Sequence, residues 1–112
     1  MTSNESSWSG SEKKVARAAY DKALQTALAS ILAEFKSRAS AATTFSEMWD
    51  VEDYLKEQRR DLDRMFDYRY SQLTIVFATL IRRGYLDENM LSGLSEEKRQ
   101  EIRRMLAWQA RG

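Results

Sequence analysis

Phe45-Ser46-Glu47-Met48-Trp49-Asp50-Val51-Glu52-Asp53-Tyr54-Leu55-Lys56-Glu57-Gln58-Arg59-Arg60-Asp61-Leu62 is the stretch on which the fold turns. Thr44 followed by Glu47 has the spacing of a capping box, in which a hydroxyl and a carboxylate satisfy the first free N–H groups of a helix. Met48, Leu55, Leu62 and Val76 then mark a seven-residue ladder, flanked by Trp49, Met65, Phe66, Leu73 and Leu80. Neither Gly nor Pro interrupts the chain between Gly10 and Gly84, so the pattern predicts a second long helical segment over 45–83. Its weakest part is Asp67–Ser71, where Arg69 occupies a ladder position and Tyr, Asp and Ser are mediocre helix formers. A bend or break belongs there.

Upstream, Ser9 with Glu12 forms another capping box, and Tyr20, Leu24, Leu28, Ile31 and Phe35 recur at helical spacing. This predicts a first long helix over 11–41. Met1–Gly10, polar and without period apart from Trp8, reads as a flexible tail. Downstream, Gly84 follows the basic pair Arg82-Arg83 and suits a helix end. Asp87–Leu91 reads as a helical turn and Gly93 as a stop. Ser95 caps a last helix whose Ile102, Met105, Leu106 and Gln109 share one side, completing a helical head over 70–110. The expected fold class is all-α and elongated, with two long helical segments and a small head, all within one domain over 11–112.

Assembly follows from length. A continuous helix over 45–82 would run about 57 Å, against a radius of gyration of roughly 13 Å for a compact domain of this size. Such a helix would hold Met48, Trp49, Leu55 and Leu62 in water, which monomers avoid. An antiparallel homodimer with those four residues as its seam is the expected solution, because two-fold pairing is the commonest way to bury such a stripe.

The chain has no His and no Cys among its 112 residues, which removes the usual metal ligands, bases and nucleophiles. No cofactor and no metal are expected. With 18 Lys and Arg against 17 Asp and Glu, no whole-molecule field draws nucleic acid, and Arg99, Arg103 and Arg104 are offset by Glu96, Glu97 and Glu101. The longest apolar stretch, Leu73–Ile81, is too short to span a bilayer. With no leader pattern in Met1–Gly10, the expected compartment is the cytoplasm.

Two constellations could carry function. Trp49, Asp53 and Arg59 place an aromatic, a carboxylate and a guanidinium on one helix, the composition of an interaction hot spot, although the same residues also suit a seam with solvated charges. The carboxylates Asp50, Asp53, Glu57, Asp61, Asp63 and Asp67 alternate with Arg59, Arg60 and Arg64 and read as a solvated face. Arg59-Arg60-Asp61-Leu62-Asp63 is loosely similar to the arginine-studded helices of chorismate mutases, but lacks a companion Lys and Gln at interior positions. A small DNA-binding regulator reading through Tyr85–Trp108 is a further alternative.

Met48-Trp49-Asp50-Val51-Glu52-Asp53-Tyr54-Leu55, Arg59-Arg60, Asp61-Leu62-Asp63, Tyr68-Arg69, Val76-Phe77-Ala78 and Gly84-Tyr85-Leu86 stand in an order similar to that of the fluorescence recovery protein family. The likeness spans roughly 11–98. It implies an elongated helical homodimer that binds the photoactivated orange carotenoid protein through that partner's C-terminal domain. The resemblance further implies faster red-to-orange reversion and an end to phycobilisome quenching, without catalysis of any bond. It matches Trp49, Asp53 and Arg59 to the family's functional cluster and Met48 to a seam position, and leaves room for a peripheral place on thylakoid membranes. Glu52 departs from the family pattern, in which a His often stands three residues after the Trp; in that light a related dimer with a different protein partner is the alternative.

Overall fold

The structure, a computed structural model, describes residues 7–111. In chain order it comprises α1 (Gly10–Ala41), α2 (Phe45–Met65), α3 (Leu73–Arg82), a 3-10 turn at Glu88–Leu91 and α4 (Glu96–Arg111), with no strand among the described residues. α1 and α2 form an antiparallel hairpin, the stem. α3, the 3-10 turn and α4 fold against the start of α1 as a head. The molecule measures 53 × 31 × 24 Å with a radius of gyration of 16.8 Å, above the roughly 13 Å of a compact chain of this length.

The second long helix is not continuous. α2 stops at Met65 and α3 begins at Leu73, so the segment over 45–83 breaks where its ladder is weakest, around Asp67–Ser71. Phe66, Tyr68 and Tyr70 alternate along the intervening stretch, a period that suits extended chain. Tyr20 of α1 receives Phe66 and Tyr68 edge-on at centroid distances of 5.3 and 4.8 Å. Tyr70 packs on Tyr68 at 5.7 Å and on Trp8 at 5.6 Å. Aromatic pairs of this kind, three edge-to-face and the Trp8 pair tilted at 49°, contribute about 0.5–1.5 kcal/mol each beyond buried area, more than the few tenths per residue that helix propensity could set against them.

Trp8 corrects the flexible tail at its C-terminal end: it is 3% exposed and part of the core, while residues 1–6 lie outside the described residues. Lys98 lies 4.8 Å from the Trp8 ring centroid and donates to the Ser7 carbonyl at 2.8 Å, so the chain is already docked before α1 begins.

The buried face of α1 is made of smaller side chains than the large apolar residues that set its helical spacing. Ala16, Ala19, Tyr20, Ala23 and Ala27 point inward, whereas Leu28 and Leu32 are exposed and Leu24, Ile31 and Phe35 half-buried. Small alanines let the head approach the α1 backbone closely. The larger residues lie further along the stem, where a single chain offers nothing to cover them.

Within the head, Leu73, Phe77, Leu80, Leu91 and Ile102 are almost wholly buried. α3 ends in a Schellman motif: the Tyr85 N–H reaches the Leu80 carbonyl at 2.9 Å, and the Gly84 N–H the Ile81 carbonyl at 3.0 Å. Gly84 adopts φ 81°, a conformation that suits a residue without Cβ. Arg103 donates to Glu88 at 2.7 Å and Arg82 to Gln109 at 3.0 Å, tying α4 to the 3-10 turn and to α3.

Glu12 joins the ends of the chain. Its Oε1 accepts from the Ser9 N–H at 3.0 Å, completing the capping box of α1. Its Oε2 accepts from the Ser95 N–H at 2.8 Å, at the start of α4. Lys98 adds an ion pair at 3.3 Å, with both side chains about nine-tenths buried. One carboxylate thus serves two helix N-termini, where negative charge is favoured. Burial alone would raise its pKa, but the bonds from Ser9, Ser95 and Lys98 outweigh that and hold it below the usual carboxylate range.

Because the native pKa is depressed, the stabilisation from Glu12 is present above its unfolded value and is lost as pH falls through the native one. Glu12→Gln should lower unfolding stability by about 2 kcal/mol at neutral pH, read by denaturant titration at fixed protein concentration. The gap to the wild type should narrow below about pH 4; a gap independent of pH would remove the charge from the explanation. A second expectation concerns Gly93, where an added Cβ would sit 2.7 Å from Val15 Cγ2. Gly93→Ala should cost about 1–3 kcal/mol by overpacking, and Val15→Ala in the same chain should recover part of that loss in a thermal melt.

Candidate functional site

α2 is built as an exposed helix with one supported edge. The Thr44 hydroxyl accepts from the Glu47 N–H at 3.1 Å. The Glu47 carboxylate reaches back past the cap residue to the Thr43 N–H at 2.8 Å, one residue earlier than a capping box has it. Those Thr43 bonds hold the Glu47 pKa below the usual range. Val51, Tyr54 and Gln58, at spacings of three and four, are half-buried on the edge towards α1. The Arg38 guanidinium, held by Glu34 at 2.8 Å, lies 4.3 Å from the Tyr54 ring centroid and clamps the hairpin. Further along, Arg83 donates to Asp61 at 2.6 Å and ties the α2 end to the head.

The rest of α2 faces outward. Phe45 is 79% exposed, Trp49 56%, Met48 45% and Leu55 38%; Leu62 is half-buried. With Leu28 and Leu32 of α1 these side chains give the stem an extensive uncovered apolar surface, larger than scattered exposed residues would account for. Asp50, Glu52, Asp53, Lys56, Arg59, Arg60 and Asp63 stand beside them, all exposed and without ion pairs or side-chain hydrogen bonds among the described residues.

Trp49 and Asp53 are one turn apart and share a line on the side of α2 away from Val51, Tyr54 and Gln58. Arg59, ten residues beyond Trp49, stands about 15 Å further along the axis and about 80° round it. It falls closer to the line of Met48, Leu55 and Leu62. The three candidate residues therefore form a strip and not a pocket, and Asp53 and Arg59 do not pair with each other. Two open grooves flank the hairpin tip beside this strip. One, of about 220 Å³, is lined by Arg38, Glu47, Asp50 and Val51; the other, of about 470 Å³, by Ala39, Thr44, Phe45 and Met48.

Chemically such a surface can bind a macromolecule by apolar contact and ionic register. Among the described residues no group of three or more His, Cys, Asp or Glu side chains could hold a metal ion, and no helix is long and apolar enough to cross a membrane. Two features went unseen in the sequence. Glu12 is visible there as a local cap, but its second partner is 83 residues away. The stacking of Arg17 on Tyr68, at 3.8 Å from the ring centroid, joins residues whose proximity no local pattern reveals.

The family model for the photoprotection regulator fluorescence recovery protein matches residues 8–106. The chain is 32% identical over 99 residues to the fluorescence recovery protein of Synechocystis sp. PCC 6803, covering 88% of this chain and 91% of that one. Among solved structures, the fluorescence recovery proteins of Fremyella diplosiphon and of Synechocystis sp. PCC 6803 each superpose with a TM-score of 0.83 at 33% identity, over 89% of this chain and 97% of theirs.

Proposed function

This chain belongs to the fluorescence recovery protein family of photoprotection regulators, and from that membership we propose that it binds the photoactivated orange carotenoid protein through that partner's C-terminal domain. Binding accelerates reversion from the red to the orange form and ends quenching at the phycobilisome. The observation that carries this reading is the outer side of α2, where Trp49 stands 56% exposed one turn from the unpaired charge of Asp53, with the unpaired Arg59 further along the same helix. A protein that speeds relaxation without chemistry must favour conformations along the return path over the red ground state. Exposed Trp and Arg are the side chains best suited to supply that differential binding.

The working unit in this reading is an antiparallel homodimer. Met48, Leu55 and Leu62 line up along one side of α2, and Leu28 and Leu32 of α1 extend the uncovered surface. The charges in the first half of α2, Glu47, Asp50, Glu52 and Asp53, are all acidic, while the second half mixes Lys56, Arg59, Arg60 and Arg64 with Glu57, Asp61 and Asp63. Antiparallel pairing sets the acidic half against the mixed one, whereas parallel pairing sets acid against acid. Nucleic acid is a poor fit, since Arg103, Arg83 and Arg82 are held by Glu88, Asp61 and Gln109.

Leu55→Glu should leave the helical content of the chain intact and convert it to a monomer in sedimentation at micromolar concentration. A wild type that sediments as a monomer would end the dimer reading. Mixing the protein with the photoactivated orange carotenoid protein should speed its dark relaxation, and Trp49→Ala or Arg59→Ala should each reduce the acceleration about tenfold. An unchanged relaxation rate with the wild type would dispose of the proposed function.

A further inference from the structure

At the junction of stem and head, α1 presents two cations one turn apart over the aromatic run that breaks the second helical segment. The Arg17 guanidinium carbon lies 3.8 Å from the Tyr68 ring centroid and 5.7 Å from that of Tyr20. Lys13 Nζ lies 5.3 Å from the Tyr70 ring. Beneath them Trp8, Tyr70, Tyr68, Tyr20 and Phe66 form a connected row of rings, with successive centroids no more than 5.7 Å apart. The cations rest on a rigid floor.

Arg17 nevertheless remains half in water: its side chain is 54% exposed. Among the described residues it donates one hydrogen bond, from Nη1 to Asp21 at 3.4 Å, a long contact with a carboxylate that is itself 58% exposed. The edge formed by Nε and Nη2 has no acceptor among the described residues. That edge is the two-donor fork that grips a carboxylate in parallel hydrogen bonds. Asp67, on the same loop as Tyr68, does not compete for it, because Arg69 holds both Asp67 oxygens, with Nε at 2.9 Å from one and Nη2 at 2.5 Å from the other. Stacking has already restricted the arginine's rotamers, so a ligand that takes the fork gives up little further entropy.

We propose that Arg17, seated on Tyr68 with Lys13 beside it, is a second docking point that captures an acidic side chain, Asp or Glu, on the protein partner. The inference rests on the regulatory-binding reading above and adds a contact to it. Arg17 lies 21 residues before Arg38, the residue that clamps the far end of the hairpin beside the Trp49 strip, so about 32 Å of α1 separates the two regions. A partner touching both spans much of the molecule's length. The ligand is a protein carboxylate and not nucleic acid, because the site offers a single guanidinium fork in a chain of net charge +1, too little for a phosphate backbone.

Two measurements on the full chain test this. In the first, nitrogen-15-labelled protein is titrated with a synthetic octaglutamate peptide while the arginine side-chain Nε–H signals are followed. The Arg17 signal should move furthest, with the Lys13 and Tyr68 neighbourhoods following. An unmoved Arg17 signal overturns the proposal, and so does a response to phosphatidylglycerol vesicles without one to the peptide. In the second, binding to the photoactivated orange carotenoid protein is measured for wild type, Arg17→Lys, Arg17→Ala and Trp49→Ala, each checked for native helical content. Arg17→Ala should weaken binding about tenfold, and Arg17→Lys about threefold, since it keeps the charge but loses the fork; both differences should shrink in high salt. If Trp49→Ala weakens binding and Arg17→Ala does not, the docking point is wrong and the functional reading stands. If the wild type does not bind, the functional reading falls and the peptide titration still decides the chemistry of Arg17.

Discussion

The row of rings at Phe66, Tyr68 and Tyr70 turns a rod into a hairpin with a head. Over those residues a helix would be poor even without competition, since aromatic, Asp and Ser residues each sit several tenths of a kcal/mol below alanine. Seating the rings on Tyr20 and Trp8 gives four aromatic pairs, a few kcal/mol together at about 0.5–1.5 each. Tertiary packing therefore decides the break, and α3 returns against α1 as its consequence. Without it Leu73, Phe77 and Leu80 would have no alanine face to pack on.

Glu12 makes the same junction polar and specific. A buried carboxylate is costly unless its oxygens are satisfied; here both accept backbone N–H groups and Lys98 supplies the counter-charge. Each partner belongs to a different level of structure: Ser9 to the local cap, Ser95 and Lys98 to the tertiary fold. Forming α1 correctly therefore presents the acceptor that the start of α4 requires. Trp8 stands over the same lysine and closes the arrangement from the N-terminal side.

Helix class, the two caps, the Gly84 stop and the weak spot in the ladder were legible because each depends on neighbours within four residues. The Gly84 motif needs only φ 81° and two local bonds, and a glycine after two arginines announces it. The buried face of α1 was not legible in the same way. Leu24, Leu28, Ile31 and Phe35 outweigh alanines on any hydropathy reading, yet Ala16, Ala19 and Ala23 join the core shared with the head, since close backbone approach needs small side chains. Trp8 was misplaced for a related reason: its partners Tyr70 and Lys98 are distant in sequence. In the candidate site, residue types, helix and the angular spacing of Trp49, Asp53 and Arg59 were readable, but which of them turn away from α1 emerges only when the α1-facing edge of α2 is known.

That separation bears on how one helix could serve two partners. Val51, Tyr54 and Gln58 fix the side of α2 that faces α1. Relative to the mean line of Met48, Leu55 and Leu62, Arg59 lies about 40° round the helix, whereas Trp49 and Asp53 lie about 120° and 160° round it. A second copy covering the Met48 line would approach from the flank of the hairpin and leave the Trp49 and Asp53 line open, with Arg59 at the margin between them. Subunit pairing and partner binding would then make different demands on Arg59 than on Trp49. An arginine at a seam margin can contribute to both, through its stem packed among apolar neighbours and its fork turned outward, while under that arrangement an exposed tryptophan on the open line would serve the partner alone. Loss of Arg59 and loss of Trp49 are therefore physically distinct lesions, even where both weaken the same response.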